Sequence, residues 1–259
     1  MTSTSITHNP DVIGILPAAG IGRRMQTALP KQYFIIDNKT LVEHAIDSLL
    51  YHPSIREVVV VISVSDRWFH KLPVACNSRV SIVTGGSIRA ESVMAALNYV
   101  KNSSVSWVLI HDAVRPCLHQ DDLCRLLSIT AYTEIGGLLA IPVRDTMKRS
   151  HPGSKIISNT VKREDLWHAL TPQIFMRDLL INCLKRGLLE RAYLTDEASA
   201  LEYCGYSPLL IPGRSDNIKV TYPEDLALAR FFFNQLIRSR FTCVSDTVLM
   251  YINSVETIH

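Results

Sequence analysis

The chain has 259 residues, of which 47% are hydrophobic, so it is long enough to bury one large core. Its 27 Lys and Arg nearly balance its 24 Asp and Glu, and a net charge of +3 argues against the clustered basic face of a nucleic-acid-binding protein. No apolar run approaches the roughly 18 residues of a membrane span, and the polar residues 1–11 lack the apolar core of a signal peptide. The six cysteines form no C-x-x-C pair, which is typical of reduced thiols, and we expect a cytoplasmic protein.

The first apolar segment leads into a turn of small residues. Val12–Leu16 is a short run typical of a strand buried on both faces. The residues after it that can meet an anion are small or cationic: Ala18, Ala19, Gly20, Gly22, Arg23, Arg24 and Lys31. Free backbone N–H groups beside fixed positive charge favour a polyphosphate-binding turn. Neither GxxxxGK[ST] nor GxGxxG is present, so this is neither a Walker loop nor a dinucleotide fingerprint.

Strands and helices alternate through the next hundred or so residues. A capping box at Thr40–Glu43 opens one helix, and apolar residues at 93, 97 and 100 mark a second. The expected strands are Glu57–Ile62, Val80–Val83 and Trp107–Ile110. This alternation predicts an α/β fold with a mostly parallel sheet, whose ligands bind at the carboxyl ends of the strands. Gly20, Gly86 and Asp112 all fall at those ends.

The pattern changes after an expected strand at Gly137–Val143. Residues 144–166 are mostly polar and predict a β-arm, in which 146–149 pairs with 156–161 across a turn at Pro152–Gly153. The arm has too little apolar surface to be stable as an isolated hairpin, so we expect it to pack against another protein surface. The α/β pattern then resumes with helices at 176–191 and 197–203, a strand at 209–211, and a helix reaching about residue 241 that opens at a capping box, Thr221–Glu224.

We therefore expect a single domain over residues 12–240. Residues 1–11 are predicted to be a disordered lead-in, and residues 242–259 form a C-terminal extension without clean periodicity.

Two polar motifs follow strands, and each has two interpretations. Gly85–Ser92 opens a helix, which is either a plain capped helix or a place where backbone N–H groups recognise the edge of a base. His111–Pro116 puts Asp112 directly after the fourth strand. A carboxylate there is either a turn former or, with a divalent cation between it and a triphosphate, a neighbour of Mg²⁺.

The segment Leu16–Met25, followed by Pro30–Gln32, resembles the signature L-x-A-A-G-x-G-x-R-M…P-K-Q of sugar-nucleotide-type nucleotidyltransferases. It is most similar to the 2-C-methyl-D-erythritol 4-phosphate cytidylyltransferase family of the non-mevalonate isoprenoid pathway. Gly85–Ser92 resembles the base-recognition motif of that family, G-G-x-x-R-x-x-S, although Ser87 stands where the family often has an acidic residue. Four further segments resemble the family in the same order: Pro142–Thr146, Arg163 with Leu166–Gln173, Thr195–Ser199 and Asn217–Thr221.

The resemblance implies a nucleotide-diphospho-sugar transferase-like fold, which is Rossmann-like with helices on both faces of a twisted sheet. It implies a homodimer in which the arm, residues 144–166, clasps a second subunit. It also implies the transfer of CMP from CTP to 2-C-methyl-D-erythritol 4-phosphate, which yields 4-diphosphocytidyl-2-C-methyl-D-erythritol and pyrophosphate. Mg²⁺ would be held largely by the triphosphate, with Asp112 as the candidate protein ligand.

By position, the resemblance also implies roles for individual residues. Charge stabilisation and orientation of the attacking phosphate fall to Arg24, Lys31, Arg163 and Lys219. The residues expected to bind CTP are Pro17, Ala18, Ala19, Gly20, Gly86, Ser92, Asp112 and Ala113. Those expected to hold the polyol phosphate are Arg115, Thr146, Arg163, Thr171, Thr195 and Lys219.

Three alternatives remain open at this point. A ribitol 5-phosphate cytidylyltransferase shares the glycine-rich start and the arm, although Thr195–Ser199 favours the methylerythritol substrate. A protein that binds nucleotides without turnover is the second alternative. An NAD-dependent oxidoreductase is the third, and it lacks both the full glycine fingerprint and an acidic residue that closes a second strand.

Overall fold

A computed structural model describes residues 10–20 and 29–238 of the chain. The rest of the sequence lies outside the described residues, including most of the N-terminal lead-in and the whole of the extension 242–259. Gly22, Arg23 and Arg24 also lie outside them, so the predicted role of Arg24 stays a prediction.

Helices and strands follow one another in the predicted alternation. The strands are β1 (Val12–Pro17), β2 (Ile35–Ile36), β3 (Lys39–Thr40), β4 (Ile55–Ile62), β5 (Val80–Thr84), β6 (Trp107–Ile110), β7 (Gly136–Pro142), β8 (Met147–Ser150), β9 (Ile157–Val161), β10 (Trp167–Met176) and β11 (Leu209–Pro212). The helices are α1 (Leu41–Leu50), α2 (Arg89–Val100), α3 (Gln120–Ser128), α4 (Arg177–Leu189), α5 (Glu197–Tyr203) and α6 (223–238). Short 3-10 helices cover Lys31–Tyr33, Phe69–Lys71, Pro73–Cys76 and Ile129–Ala131.

The central sheet has seven strands in the order β11-β7-β10-β6-β1-β4-β5. Strand β1 pairs in parallel with β4 and β6, β4 with β5, and β7 with β11. Strand β10 runs antiparallel to both of its neighbours, β6 and β7. The expected mostly parallel sheet is confirmed, and so is the helix expected at 176–191, which begins one residue later at Arg177. No strand was expected at residues 167–176, where the structure has β10.

Helices cover both faces of this sheet, as expected. Alternate side chains of the strands enter two separate apolar layers, because successive side chains of a strand point to opposite faces. One layer joins the strands to α1 and α3, through residues such as Leu16, Val60, Leu49 and Leu127. The other joins them to α2, α4 and α5, through residues such as Ile15, Val61, Leu97, Leu184 and Leu201. The two layers bury every strand at the centre of the sheet.

Two predicted capping boxes have different outcomes. At α1 the box is confirmed, since the Thr40 hydroxyl accepts from the Glu43 N–H and the Glu43 carboxylate accepts from the Thr40 N–H at 2.8 Å. At α6 it is wrong. The carboxylate of Asp225, and not that of Glu224, accepts from the N–H groups of Thr221 and Tyr222, each at 2.8 Å. An acidic residue one position later reaches the same free donors.

The predicted arm is a two-stranded hairpin of β8 and β9, paired from Met147 with Val161 to Ser150 with Ile157. Its turn contains Gly153 at a φ of 69°, a left-handed conformation that favours glycine. No helix within the described ranges is long and apolar enough to cross a membrane.

Candidate active site

A cavity of about 370 Å³ opens where β1, β5 and β6 end, at the carboxyl edge of the sheet. It is lined by Pro17, Ala18, Ala19, Gly20, Lys31, Gln32, Gly86, Ser87, Ile88, Arg89, Ser92, Asp112, Ala113, Val114, Lys219 and Thr221. Every residue that the sequence analysis assigned to CTP lines this cavity, and so do Lys31 and Lys219. Segments that lie far apart in the chain therefore meet in one place.

The turn after β1 is held by hydrogen bonds to both backbone groups of Ala18. Its N–H donates to the carbonyl of Val61 in β4 at 2.7 Å, and its carbonyl accepts from Nε2 of Gln32, also at 2.7 Å. Among the described residues, no atom lies within 4 Å of a Cβ added at Gly20, and Gly20 lines the cavity.

Lys31 reaches the cavity from the 3-10 helix Lys31–Tyr33. Its ammonium group donates to the carbonyl of Val220 at 3.0 Å. Lys219, the residue before Val220, lines the same cavity. The two lysines are 188 positions apart in sequence, and this contact brings their segments together.

The Gly85–Ser92 segment is both a helix start and a wall of the cavity. A Cβ at Gly85 would lie 2.6 Å from the Ser92 hydroxyl oxygen, and one at Gly86 would lie 2.4 Å from the Cβ of Glu91, so both positions need glycine. The Glu91 carboxylate accepts from the Ser87 N–H at 2.8 Å and caps α2. The Ser92 hydroxyl is buried and donates to the Ile88 carbonyl at 3.2 Å. The plain capped helix is thus present, and it does not exclude base recognition.

Three cations surround the carboxylate of Asp112. Lys219 lies 2.8 Å from Oδ2, Arg115 3.4 Å from Oδ2, and Arg89 3.5 Å from Oδ1. Burial alone would raise the pKa of the Asp112 carboxyl, but the three cations hold that pKa well below its ordinary value. Asp112 is therefore ionised at neutral pH, and the cations around it exceed its single charge.

A layer of buried polar side chains supports Asp112 from beneath. The Thr171 hydroxyl accepts from the Asp112 N–H at 3.0 Å and contacts Nδ1 of His111 at 3.0 Å. Asn217 donates to the Thr171 carbonyl at 2.8 Å, and Arg115 donates to the Asn217 carbonyl at 2.6 Å. Burial lowers the pKa of His111 to about 4, so its ring is neutral at pH 7. These residues fix the position of Asp112 rather than line the cavity.

The residues predicted to hold the polyol phosphate are distributed over four places. Lys219 lines the cavity, whereas Arg115 and Thr171 are buried beneath it. Thr146 and Arg163 are exposed at the base of the hairpin, where the Arg163 guanidinium donates to the Arg144 carbonyl. Thr195 is exposed just before α5. A single chain does not bring these six residues together.

Comparison with known proteins identifies the family. A model of the 2-C-methyl-D-erythritol 4-phosphate cytidylyltransferase family matches residues 12–235. The chain belongs to this family. A cytidylyltransferase of that name from Sodalis glossinidius is 75% identical over 229 residues, which cover 88% of this chain and 95% of the relative. One from Salmonella arizonae is 59% identical over 227 residues, 88% of this chain and 95% of the relative.

Solved structures agree with this assignment. The chain resembles a 4-diphosphocytidyl-2C-methyl-D-erythritol synthase with a TM-score of 0.73 at 36% identity, over 86% of this chain and 98% of the other. It resembles the Francisella tularensis cytidylyltransferase with a TM-score of 0.72 at 29% identity, over 86% and 99% of the two chains. Membership of a cytidylyltransferase family makes the chain a nucleotidyltransferase and removes the oxidoreductase alternative.

The cavity also contains an ion pair that the sequence did not predict. The guanidinium of Arg89, which lines the cavity, bridges Asp112 and the buried carboxylate of Glu197 at the start of α5. Burial would lower the pKa of Arg89, but Glu197 and Asp112 raise it above its ordinary value. Burial raises the pKa of Glu197. Both residues stand inside the family motifs, but their pairing across 108 positions has no local signal.

Proposed function

We propose that the cavity transfers the CMP group of CTP to the phosphate of 2-C-methyl-D-erythritol 4-phosphate. The products are 4-diphosphocytidyl-2-C-methyl-D-erythritol, an intermediate of isoprenoid biosynthesis, and pyrophosphate. The observation that carries this proposal is the contact of Lys31 with Val220, which brings Lys31 and Lys219 to one cavity beside the turn Ala18–Gly20. Two phosphate groups that repel each other need cations from both sides in order to react.

The reaction needs alignment and charge neutralisation rather than proton removal. A phosphate monoester has a second pKa of about 6, so the attacking group is already mostly a dianion at pH 7. One of its oxygens forms a bond to the α-phosphorus of CTP, and the bond from that phosphorus to the oxygen bridging to the β-phosphate breaks. The electron pair of that bond leaves with pyrophosphate. A general base is not required, which agrees with the burial of His111, the imidazole next to the cavity.

The proposed roles divide the cavity between the two substrates. Lys31, together with Arg24, stabilises the charge that develops at the α- and β-phosphates. Lys219, together with Arg163, orients the attacking phosphate. The N–H groups of the turn Ala18–Gly20 meet the triphosphate, and the segment Gly86–Ser92 meets the cytosine ring. The charges at the cavity support this division. Even with Glu197 paired to Arg89, the cations around Asp112 together with Lys31 leave a net positive charge for two anionic substrates.

The cavity offers a divalent cation one protein carboxylate as a ligand. Within the described ranges, no three His, Cys, Asp or Glu side chains form a metal cluster, and Asp112 is the only carboxylate that lines the cavity. Mg²⁺ commonly binds through one or two carboxylates together with substrate phosphates. Asp112 and the triphosphate would therefore hold it, and the ion would neutralise phosphate charge during the transfer.

We also propose that the second half of the site comes from another copy of the chain. Arg163 and Thr146 do not line the cavity of their own chain, and the hairpin that they flank carries exposed Ile156 and Ile157. A homodimer in which each hairpin reaches its partner would cover these apolar side chains and bring Arg163 to the partner's cavity.

We also propose a cytoplasmic location. It is supported by the described cysteines, all of which are free thiols.

The test is a product assay with the purified full-length protein and Mg²⁺. CTP or ATP is offered with either 2-C-methyl-D-erythritol 4-phosphate or ribitol 5-phosphate, and pyrophosphate and product mass are followed. We expect the methylerythritol substrate with CTP to exceed each other pair by about a hundredfold or more in kcat/KM, since a mispaired substrate leaves buried polar groups unsatisfied. Equal use of ribitol 5-phosphate would favour the second polyol. Nucleotide binding without pyrophosphate release would favour the non-catalytic alternative.

A further inference from the structure

Gln32 makes a long-range hydrogen bond at the base of the cavity. Its side chain is 3% exposed, and Nε2 donates to the carbonyl of Ala18, 14 positions earlier, at 2.7 Å. Ala18 belongs to the turn after β1, while Gln32 follows Lys31 in the 3-10 helix. The bond therefore joins the two segments that are expected to contact the triphosphate, and we name it the Gln32–Ala18 bond.

Both ends of this bond are attached to rigid parts of the fold. The N–H of Ala18 donates to the carbonyl of Val61 in β4, so the turn cannot shift without breaking a hydrogen bond to the sheet. On the other side, the hydroxyl of Tyr33 donates to Asp66 at 2.6 Å, and Trp68 packs on the Tyr33 ring with centroids 5.6 Å apart. The Gln32–Ala18 bond is thus a short, buried link between two anchored elements.

We propose that Gln32 is a positioning residue for cytidylyl transfer, because it holds the ammonium group of Lys31 at a fixed place relative to the N–H groups of the turn. This inference rests on the proposed function. Stabilising charge in a transition state requires donors that are already in place, and a misplacement of about 1 Å can cost about a hundredfold in rate. A carbonyl oxygen needs a donor as its partner, so the amide of Gln32 serves where a carboxylate would not.

The first test removes the donor while keeping the size of the side chain. Gln32→Met should lower kcat about ten- to a hundredfold and change KM for the polyol phosphate little, because Lys31 acts on CTP. Gln120 offers a matched control: its amide donates to the Ser48 carbonyl, also at 2.7 Å, and lies outside the cavity. Gln120→Met should leave kcat within about twofold of wild type. An equal loss in both variants, or a kcat unchanged in Gln32→Met, would overturn the proposal.

The second test uses pH to restore the donor. In Gln32→Glu, an ionised carboxylate opposes the Ala18 carbonyl, whereas a protonated one can donate to it, and burial raises the pKa of such a carboxyl. The ratio of variant to wild-type kcat should rise severalfold between pH 8 and pH 5.5. Taking the ratio removes the titration of the substrate. The same ratio for Gln32→Met should stay flat, and a flat ratio for both variants would argue against the Gln32–Ala18 bond as the cause.

A third measurement does not depend on turnover. Hydrogen exchange of the folded protein should be faster in Gln32→Met for peptides that cover residues 17–20 and 31–34, and unchanged there in Gln120→Met. If wild type fails to release pyrophosphate, the proposed function fails, while hydrogen exchange still decides whether the bond links the two segments. Unchanged exchange in Gln32→Met would overturn the link itself.

Discussion

The cavity at the sheet edge and the hairpin β8–β9 represent opposite ways of building a site. The cavity is made of short segments that follow buried strands. The carboxylate of Asp112 is contacted by three cations of the same chain, and its backbone N–H donates to Thr171 of β10. The hairpin is exposed along nearly its whole length and contributes Arg163, which contacts only the nearby Arg144 carbonyl among the hydrogen bonds described. One half of the proposed site is organised before any substrate arrives, and the other half is not organised within one chain.

This difference separates contacts that must be rigid within one chain from contacts that a second chain can supply. Contacts that stabilise developing charge must be rigid, since reorganisation during the reaction would cancel their benefit. Contacts that grip the second substrate tolerate assembly from another chain, because they need only be complete once both substrates are bound.

The largest expected effect tests the organised half. Lys31→Ala should lower kcat about 10²–10³-fold, as expected for the loss of one preorganised donor to the transition state. Steady-state pyrophosphate release measures this, with the thermal midpoint as a check on folding. Lys39→Ala, which removes an exposed lysine paired with Asp47, should change kcat by less than about twofold. A Lys31→Ala enzyme within a few-fold of wild type would contradict the assignment.

An intermediate effect tests the shared half. In the proposed homodimer, Lys31→Ala and Arg163→Ala should each be nearly inactive. The first loses charge stabilisation, and the second loses a cation that binds the polyol phosphate. In a mixed dimer with exchanged hairpins, one site carries both changes and the other carries neither. Random pairing of equal amounts then leaves roughly a quarter of all sites intact.

That complementation is measured after the two variants are unfolded and refolded together. Pyrophosphate release should recover to about a quarter of the wild-type value, whereas each variant refolded alone should show no recovery. Mixed dimers confirmed by mass without any recovery would assign Arg163 to its own subunit or to no site.

The smallest expected effect concerns the layer beneath Asp112. The pKa of His111 is about 4 in the folded state and near 6.5 when unfolded, so between these values the unfolded chain holds a proton that the folded chain lacks. The free energy of unfolding therefore falls as the pH drops, by roughly 2 kcal/mol between pH 7 and pH 4.5 from this residue. Urea titrations should show that loss in wild type and in His70→Gln, whose position is exposed, but not in His111→Gln. Equal slopes in all three proteins would exclude a neutral buried His111.

Local patterns predicted the sheet and the turn well. The runs at Val12–Leu16 and Trp107–Ile110 are strands because β-branched and apolar residues without polar interruption suit a buried parallel strand. The capping box at Thr40–Glu43 is local by nature, since its two hydrogen bonds join residues three apart. Strand-end reasoning placed Gly20, Gly86 and Asp112 at one edge of the sheet, and these three residues line one cavity.

What the sequence did not predict depends on distant partners. Strand β10 carries Thr171 and Gln173, which look polar in the sequence but are buried because His111, Asp196 and other groups satisfy their hydrogen bonds. The pairing of Arg89 with Glu197 also depends on the finished fold. Neither has a short-range pattern, because the partner that makes a buried polar group tolerable lies elsewhere in the chain.

The place of β10 in the sheet has a consequence for synthesis of the chain. Among the described residues, β7 and β11 connect to the rest of the sheet through β10, which lies between β7 and β6. Until residues 167–176 have left the ribosome, the N–H and C=O groups along one edge of β6 are unpaired. The apolar layer beside that edge is also uncovered, because α4 and α5 follow β10 in the chain. Such an edge pairs readily with other chains. A product truncated before Trp167 is therefore expected to aggregate, although it already contains the whole glycine-rich turn.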